Sequence, residues 1–155
     1  MRSRFLLALT VVLTLTVAAG AADSKSYGKG VTLTTATPIA RVIEKPADFQ
    51  GKTIRIEGVI TEVCEAMGCW MALAADAPKS GQSDAKTVLI QVEHDGVIVF
   101  PVTARGHRAA AQGVLEKING GEGQEAAAEL ARQQGSAKAE APVQYRINAT
   151  GAVIF

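Results

Sequence analysis

The chain is poor in cysteine, in aromatic side chains and in surplus charge. It holds two cysteines, one tryptophan, two tyrosines and four phenylalanines in 155 residues, and 16 basic residues stand against 15 acidic ones. A nucleic-acid binder ordinarily shows a basic surplus to neutralise phosphates and aromatic rings on which bases stack. Neither is present, so nucleic acid is not the expected partner. There is also no G-x-S-x-G, no phosphate-cradling glycine loop and no H-E-x-x-H. Glu57 and Glu62 fall on opposite faces of their strand unless a bulge resets its parity, so they form no carboxylate pair. Hydrolase or transferase chemistry therefore has no support, and the chain is read as a non-enzyme.

The one long apolar run lies at the start. Arg2 and Arg4 precede "FLLALTVVLTLTVAA", Phe5 to Ala19, and "AGAAD" follows with small residues at the positions a signal peptidase reads. The run is short for a membrane span of about 20 residues. We therefore expect residues 1–22 to be a signal peptide cleaved after Ala21 or Ala22, export to the periplasm or beyond, and no stable membrane span afterwards. With no cysteine near the cleavage site, a lipid anchor on an acylated N-terminal cysteine is not available. Removing residues 1–22 takes away two arginines and no acids, so the formal charge moves from +1 to −1. What remains is the size of one domain.

Residues 23–36 are rich in Ser, Thr and Gly and read as a flexible arm. "TPIARVIEKP" reads as a short helix, with Thr37 as its cap, Pro38 in its first turn and Pro46 as its stop. Ile39, Val42 and Ile43 share one face of it. "GKTIRIEGVITEVC" is a long strand with Ile54, Ile56 and Ile60 on one side, and Gly58 marks a bend, bulge or close backbone approach. "CWMALAAD" is the next strand, reached through the tight "EAMG" link. "APKSGQSDA" is a polar loop, "KTVLIQVE" a third strand, and "HDG" a turn before "VIVFPV". "ARGHRAAAQGVLEKI" reads as a strand, although its alanines also suit a helix. "GEGQEAAAELARQQG" is a helix whose apolar face is mostly alanine, and "SAKAEAP" is a linker. "VQYRINATGAVIF" is a closing strand with Tyr145, Ile147, Ala149, Val153 and Phe155 on one face. Five to six strands with no βαβ alternation predict a mainly β fold: a small antiparallel OB-like barrel over residues 37–155, with a short N-terminal helix and one peripheral helix.

"YGKG", "PADFQGKTIRIEGVITEVCEAMGCWMAL", "FPV" with a following glycine, and the terminal "YRINATGAVIF" together resemble a family of small exported bacterial proteins. That family is catalogued as a domain of unknown function. The resemblance runs from Tyr27 to Phe155, and its most specific element is the Val-Cys-x4-Cys-Trp-Met stretch. It implies an OB-type barrel and export, and no activity. The sequence departs from the family pattern at "ARGHRAA", where His107 stands in place of a lysine.

"VCEAMGCWM", Val63 to Met71, concentrates what chemistry there is: both cysteines, the only tryptophan and two of the three methionines. Three readings are open to it. In an oxidising compartment a disulfide is the default for Cys64 and Cys69. Residues facing across a hairpin have Cβ atoms about 4.5–5.5 Å apart, against about 3.5–4.5 Å in a disulfide, so modest pinching joins them. Closing a loop of about six residues stabilises by roughly 2 kcal/mol. The second reading is soft-metal handling. Cys64, Cys69, Met71 and Met67 offer thiols and thioethers that select Cu(I), whereas structural zinc requires four ligands and only His94 and His107 could complete that set. No other cofactor is expected. Strand parity places Cys69 and Met71 on one face and Trp70 on the other. The third reading is thiol–disulfide redox chemistry. Against it stand the absence of a C-x-x-C at a helix N-terminus and the acid Glu65, which raises the proton affinity of a neighbouring thiol. Trp70 reads as a core residue whose N–H needs a partner, and it is also a candidate ligand contact. His94 and His107 read as surface loop residues. The leading expectation is an exported binding or interaction module with a Cys64–Cys69 hairpin disulfide, whose ligand is a protein, a peptide or a small molecule.

Overall fold

The described residues form six strands and two α-helices, five of the strands where these patterns place them. The computed structural model describes residues 24–77, 86–92, 98–135 and 145–155. The expected signal peptide, most of the polar loop, His94 with its turn, and the 136–142 linker lie outside the described residues. The elements are β1 Lys25–Gly28, α1 Ile39–Glu44, β2 Thr53–Val63, β3 Trp70–Ala74, β4 Thr87–Gln91, β5 Arg108–Lys117, α2 Gly121–Gln133 and β6 Tyr145–Ile154. Strands β2 to β6 close a barrel in the order β6-β4-β3-β2-β5-β6, and β1 adds to the free stretch of β6. In barrel positions this runs one-two-three-five-four and back to one, the Greek-key order of an OB-type barrel. All pairs are antiparallel except β4 with β6, so the barrel is mixed rather than wholly antiparallel.

The interior follows the two-residue period of strands. Ile54, Ile56 and Ile60 of β2 meet Met71 and Leu73 of β3, Val88 and Ile90 of β4, and Leu115 and Ile147 of the other two strands. The alanine-rich segment that also suited a helix is strand β5, because Ala109, Ala111, Gly113 and Leu115 alternate along it and all but the glycine join the core. Its register on both β2 and β6 is continuous over most of its length.

Two bulges reset the parity. Between Ile60 and Glu62 the register against β3 slips, leaving Thr61 without an opposing residue. Between Ala149 and Gly151 the same happens at Thr150 against β5. Each extra residue reverses which side the following residues face. Val63 therefore points into the core and Cys64 outward. On β6, Ile147 and Ala149 are inside as expected, but beyond Thr150 it is Ala152 and Ile154 that turn inward. Phe155 is left 44% exposed, and Val153 only partly buried, which corrects the single face read for the whole strand.

Other expectations are corrected at the ends of elements. Thr37 does not cap α1. Pro38 is the capping residue, with no side-chain hydrogen bond, and the Thr37 N–H bonds to the Arg55 carbonyl instead. Within the stretch read as an arm, several described residues make defined contacts. Lys25–Gly28 pair with β6, Gln112 Oε1 accepts from the Thr32 and Leu33 N–H groups, and Arg55 donates to the carbonyls of Leu33 and Thr34. Ile98–Phe100 form no strand; the Phe100 N–H bonds to the Gly68 carbonyl, and a short 3-10 turn follows at Val102–Ala104.

Gly58 is needed for close backbone approach. A Cβ there would run into the Ala74 carbonyl on β3 and reach 2.8 Å from Ile39 Cδ1. Overpacking of this kind typically costs about 1–3 kcal/mol. Gly58→Ala should lower the denaturant midpoint accordingly at unchanged slope; an unaltered midpoint would show that the β2–β3 wall has slack.

Candidate functional site

The turn from Cys64 to Cys69 links β2 to β3 and is held by backbone bonds on several sides. The Cys64 N–H donates to the Trp70 carbonyl and the Gly68 N–H to the Cys64 carbonyl, at 3.0 and 3.1 Å. The Val92 N–H donates to the Cys69 carbonyl and the Phe100 N–H to the Gly68 carbonyl. Gly68 sits at φ 63°, in the left-handed region, and a Cβ on it would strike the Phe100 carbonyl, so the turn requires glycine there.

This turn brings the two sulfurs to 3.5 Å. Both cysteines are free thiols in the structure. Because β3 begins at Trp70, Cys69 escapes strand parity. It packs with Cys64 and Trp70 in a second apolar cluster on the outer wall of the barrel. Ala72 and Leu89 extend this cluster across β3 and β4, and Ala126 and Leu130 of α2 cover it. Met71 takes the other direction, fully buried in the barrel interior, while Met67 is 56% exposed at the tip of the turn. Of the four sulfurs, Met71 thus lies across the barrel wall from the cysteines, and Met67 sits at the exposed tip of the turn. The expected pairing of Cys69 with Met71 on one face is corrected at the same point.

Trp70 is 1% exposed and lies beneath α2 rather than inside the barrel. Its Nε1–H donates to Glu129 Oε2 at 3.3 Å, and the same carboxylate oxygen lies 3.9 Å from Cys64 Sγ. Gln133, one turn on, donates to Glu129 Oε1 at 3.2 Å. Arg105, ahead of β5, ties the neighbourhood together. It reaches the Val63 carbonyl at 3.3 Å, Glu65 Oε1 at 3.0 Å and Gln133 Oε1 at 3.4 Å, and its Nε lies 3.0 Å from Glu62 Oε2 as an ion pair without hydrogen-bond alignment. Glu129, Gln133 and Arg105 have no local sequence signature as site residues. Glu129 is 59 positions from the tryptophan it accepts from, and only the packing of α2 brings them together.

The two thiols are electrostatically unequal. Burial pushes Cys64 up, but backbone N–H groups of Met67 and Cys69, with the Cys69 S–H, outweigh it and hold the group below the ordinary thiol value. Burial, then the hydrogen bond to Cys64 and its charge, push Cys69 up to about 12. The carboxylate that bears on Cys64 is Glu129; Glu65 is engaged by Arg105. The expectation that a neighbouring acid raises the first thiol is thus corrected: the turn's N–H donors decide its direction.

An open groove of about 400 Å³ lies where β1, the Val102–Ala104 turn and the end of β6 meet. Tyr27, Pro101, Ala104 and Ile154 give it an apolar lining, with Lys25 and His107 among its polar residues. His107 is exposed, and its Nδ1 lies 3.2 Å from the Phe155 carbonyl, away from the cysteines. Among the described residues, no group of three or more His, Cys, Asp or Glu side chains is arranged to hold a metal ion, and no helix is long and apolar enough to cross a membrane.

Neither protein-family profiles nor curated proteins match this chain. Among solved structures it is similar to a DUF3299 family protein from Pseudomonas aeruginosa PAO1, at 16% identity and a TM-score of 0.39. The match covers 70% of this chain and 64% of that one, so this chain spans less than two thirds of that protein's length.

Two outcomes follow from the geometry. Thiolate absorbance of the reduced protein should rise in two widely separated steps that belong to the pair, the first below the ordinary thiol range and the second near pH 12. A single step of two thiolates near the ordinary value would contradict the arrangement. Glu129→Leu should orphan the Trp70 N–H, cost about 1–3 kcal/mol in denaturant unfolding, and change the emission of the only tryptophan.

Proposed function

We propose that this chain is an exported binding module on an OB-type barrel, and that Cys64 and Cys69 close a disulfide that rigidifies its first hairpin loop. The 3.5 Å approach of the two sulfurs carries the reading. A disulfide bond is about 2.05 Å long, so closure asks for roughly 1.5 Å of further approach. The surrounding turn is already held by backbone bonds to β3, Val92 and Phe100.

The position of the loop supports a binding role. In OB-type barrels the loop between the first two barrel strands and the connection between the last two frame the ligand. Here those segments are the cysteine turn and the connection containing α2, and Glu129, Gln133 and Arg105 join them. The ligand class is a protein, a peptide or a small molecule rather than nucleic acid, because the chain carries no basic surplus and few aromatics. Fold alone assigns no ligand.

Thiol counting on protein isolated from the oxidising compartment without reductant should find no free thiols. Two free thiols per chain would refute the disulfide.

A further inference from the structure

The same pair has the makings of an exchange site, and this inference rests on the disulfide proposed above. The two sulfurs differ in access: Cys64 is 3% exposed, while Cys69 is only partly buried. They also differ in what receives them when the bond opens. Backbone N–H groups of Met67 and Cys69 converge on Cys64 Sγ, a small cradle for a sulfur anion. Gly68, at a φ only glycine adopts freely, shapes the turn that aims them. Met67, exposed at the tip, offers an adaptable apolar contact to a docking chain.

We propose that the Cys64–Cys69 disulfide is a thiol–disulfide exchange site that accepts electrons from dithiols of exported polypeptides, with Cys69 as the attacked sulfur and Cys64 as the leaving group. A partner thiolate attacks Cys69 Sγ. The Cys64–Cys69 bond breaks, a Cys69–partner disulfide forms, and the electron pair leaves on Cys64 Sγ, where the N–H cradle holds it without a proton. A second thiolate of the partner then attacks its own disulfide-bonded sulfur and releases Cys69, which takes up a proton. The partner dithiol becomes a disulfide, losing two electrons and two protons, and the protein gains the two electrons. One proton ends on Cys69 and the other goes to solvent.

The stability of Cys64 as an anion matters in two ways. A better leaving group speeds the first step, and stabilising the reduced form makes the disulfide a stronger oxidant. Glu129, whose Oε2 lies 3.9 Å from Cys64 Sγ, opposes the anion, but it is held in place by the Trp70 and Gln133 donors. Arg105 is paired with Glu62 and Glu65 and keeps those two acids engaged beside the turn.

The test uses the full-length exported protein, oxidised, with reduced glutathione as the thiol probe. Free thiols are counted first. The reaction is quenched in acid at short times, and the glutathione adduct is mapped by peptide mass under non-reducing conditions. The expected result is opening of the disulfide with the adduct on Cys69 in excess over Cys64 by about tenfold or more. Equal adducts at both sulfurs, or no opening at millimolar glutathione over hours, would overturn the exchange proposal while leaving the disulfide itself in place. Two free thiols that persist even after treatment with a disulfide oxidant would overturn both.

Discussion

Thr61, the residue of β2 that opposes nothing on β3, decides which side of the barrel wall the cysteine turn faces. Without that bulge, with Thr61 paired in regular register, the two-residue period running from Ile60 would carry Cys64 into the barrel interior and Val63 out. With it, Val63 joins Ile56, Ile60 and Met71 in the core, and Cys64 emerges beside Trp70 on the outside. A free cysteine in the interior would be a small hydrophobe out of reach of any partner. Placed outside the wall, it lies where backbone N–H groups of the turn reach its sulfur and where α2 brings a carboxylate.

The helix completes what the bulge begins. Its contact side is mostly alanine, with Leu130 the one large apolar residue, so it settles close to β3 and β4 while contributing modest apolar burial. That cover leaves both faces of β3 buried and removes Trp70 from water. The tryptophan N–H then needs an acceptor, and Glu129 supplies it. Gln133 holds the other carboxylate oxygen, and Arg105 reaches both Gln133 and the acids flanking Cys64. Turn, helix and the approach to β5 are thereby joined by polar contacts.

Inside that frame the two thiols are unequal because the turn's donors serve them differently. The buried Cys64 receives N–H groups from the turn, and the more accessible Cys69 receives the charge of its neighbour. Two sulfurs in so short a loop might have served only as a staple. Access and anion stabilisation both distinguish the two sulfurs: Cys69 is partly exposed, and the Cys64 anion is the better held.

Much of the architecture was legible along the chain. Alternation over Ile54, Ile56 and Ile60, the run of "KTVLIQVE", the tight link between the cysteines and the alanine-faced helix all correspond to elements where they were expected. The strand β5 was blurred because alanine is a good helix former and carries little pattern. The inward set of β6 was half wrong because a bulge at Thr150 is invisible to a two-residue period. The cysteine pair could be named from spacing in a turn, since six residues of chain limit how far apart two side chains lie. The sequence by itself determined the five barrel strands and the proximity of Cys64 to Cys69, because these depend on local period and short chain length. Only the tertiary structure decided that the pair faces outward, that Met71 is turned away from it, and that Glu129, Gln133 and Arg105 surround it. Those outcomes rest on one unpaired residue and on contacts between segments tens of residues apart, which no local pattern encodes.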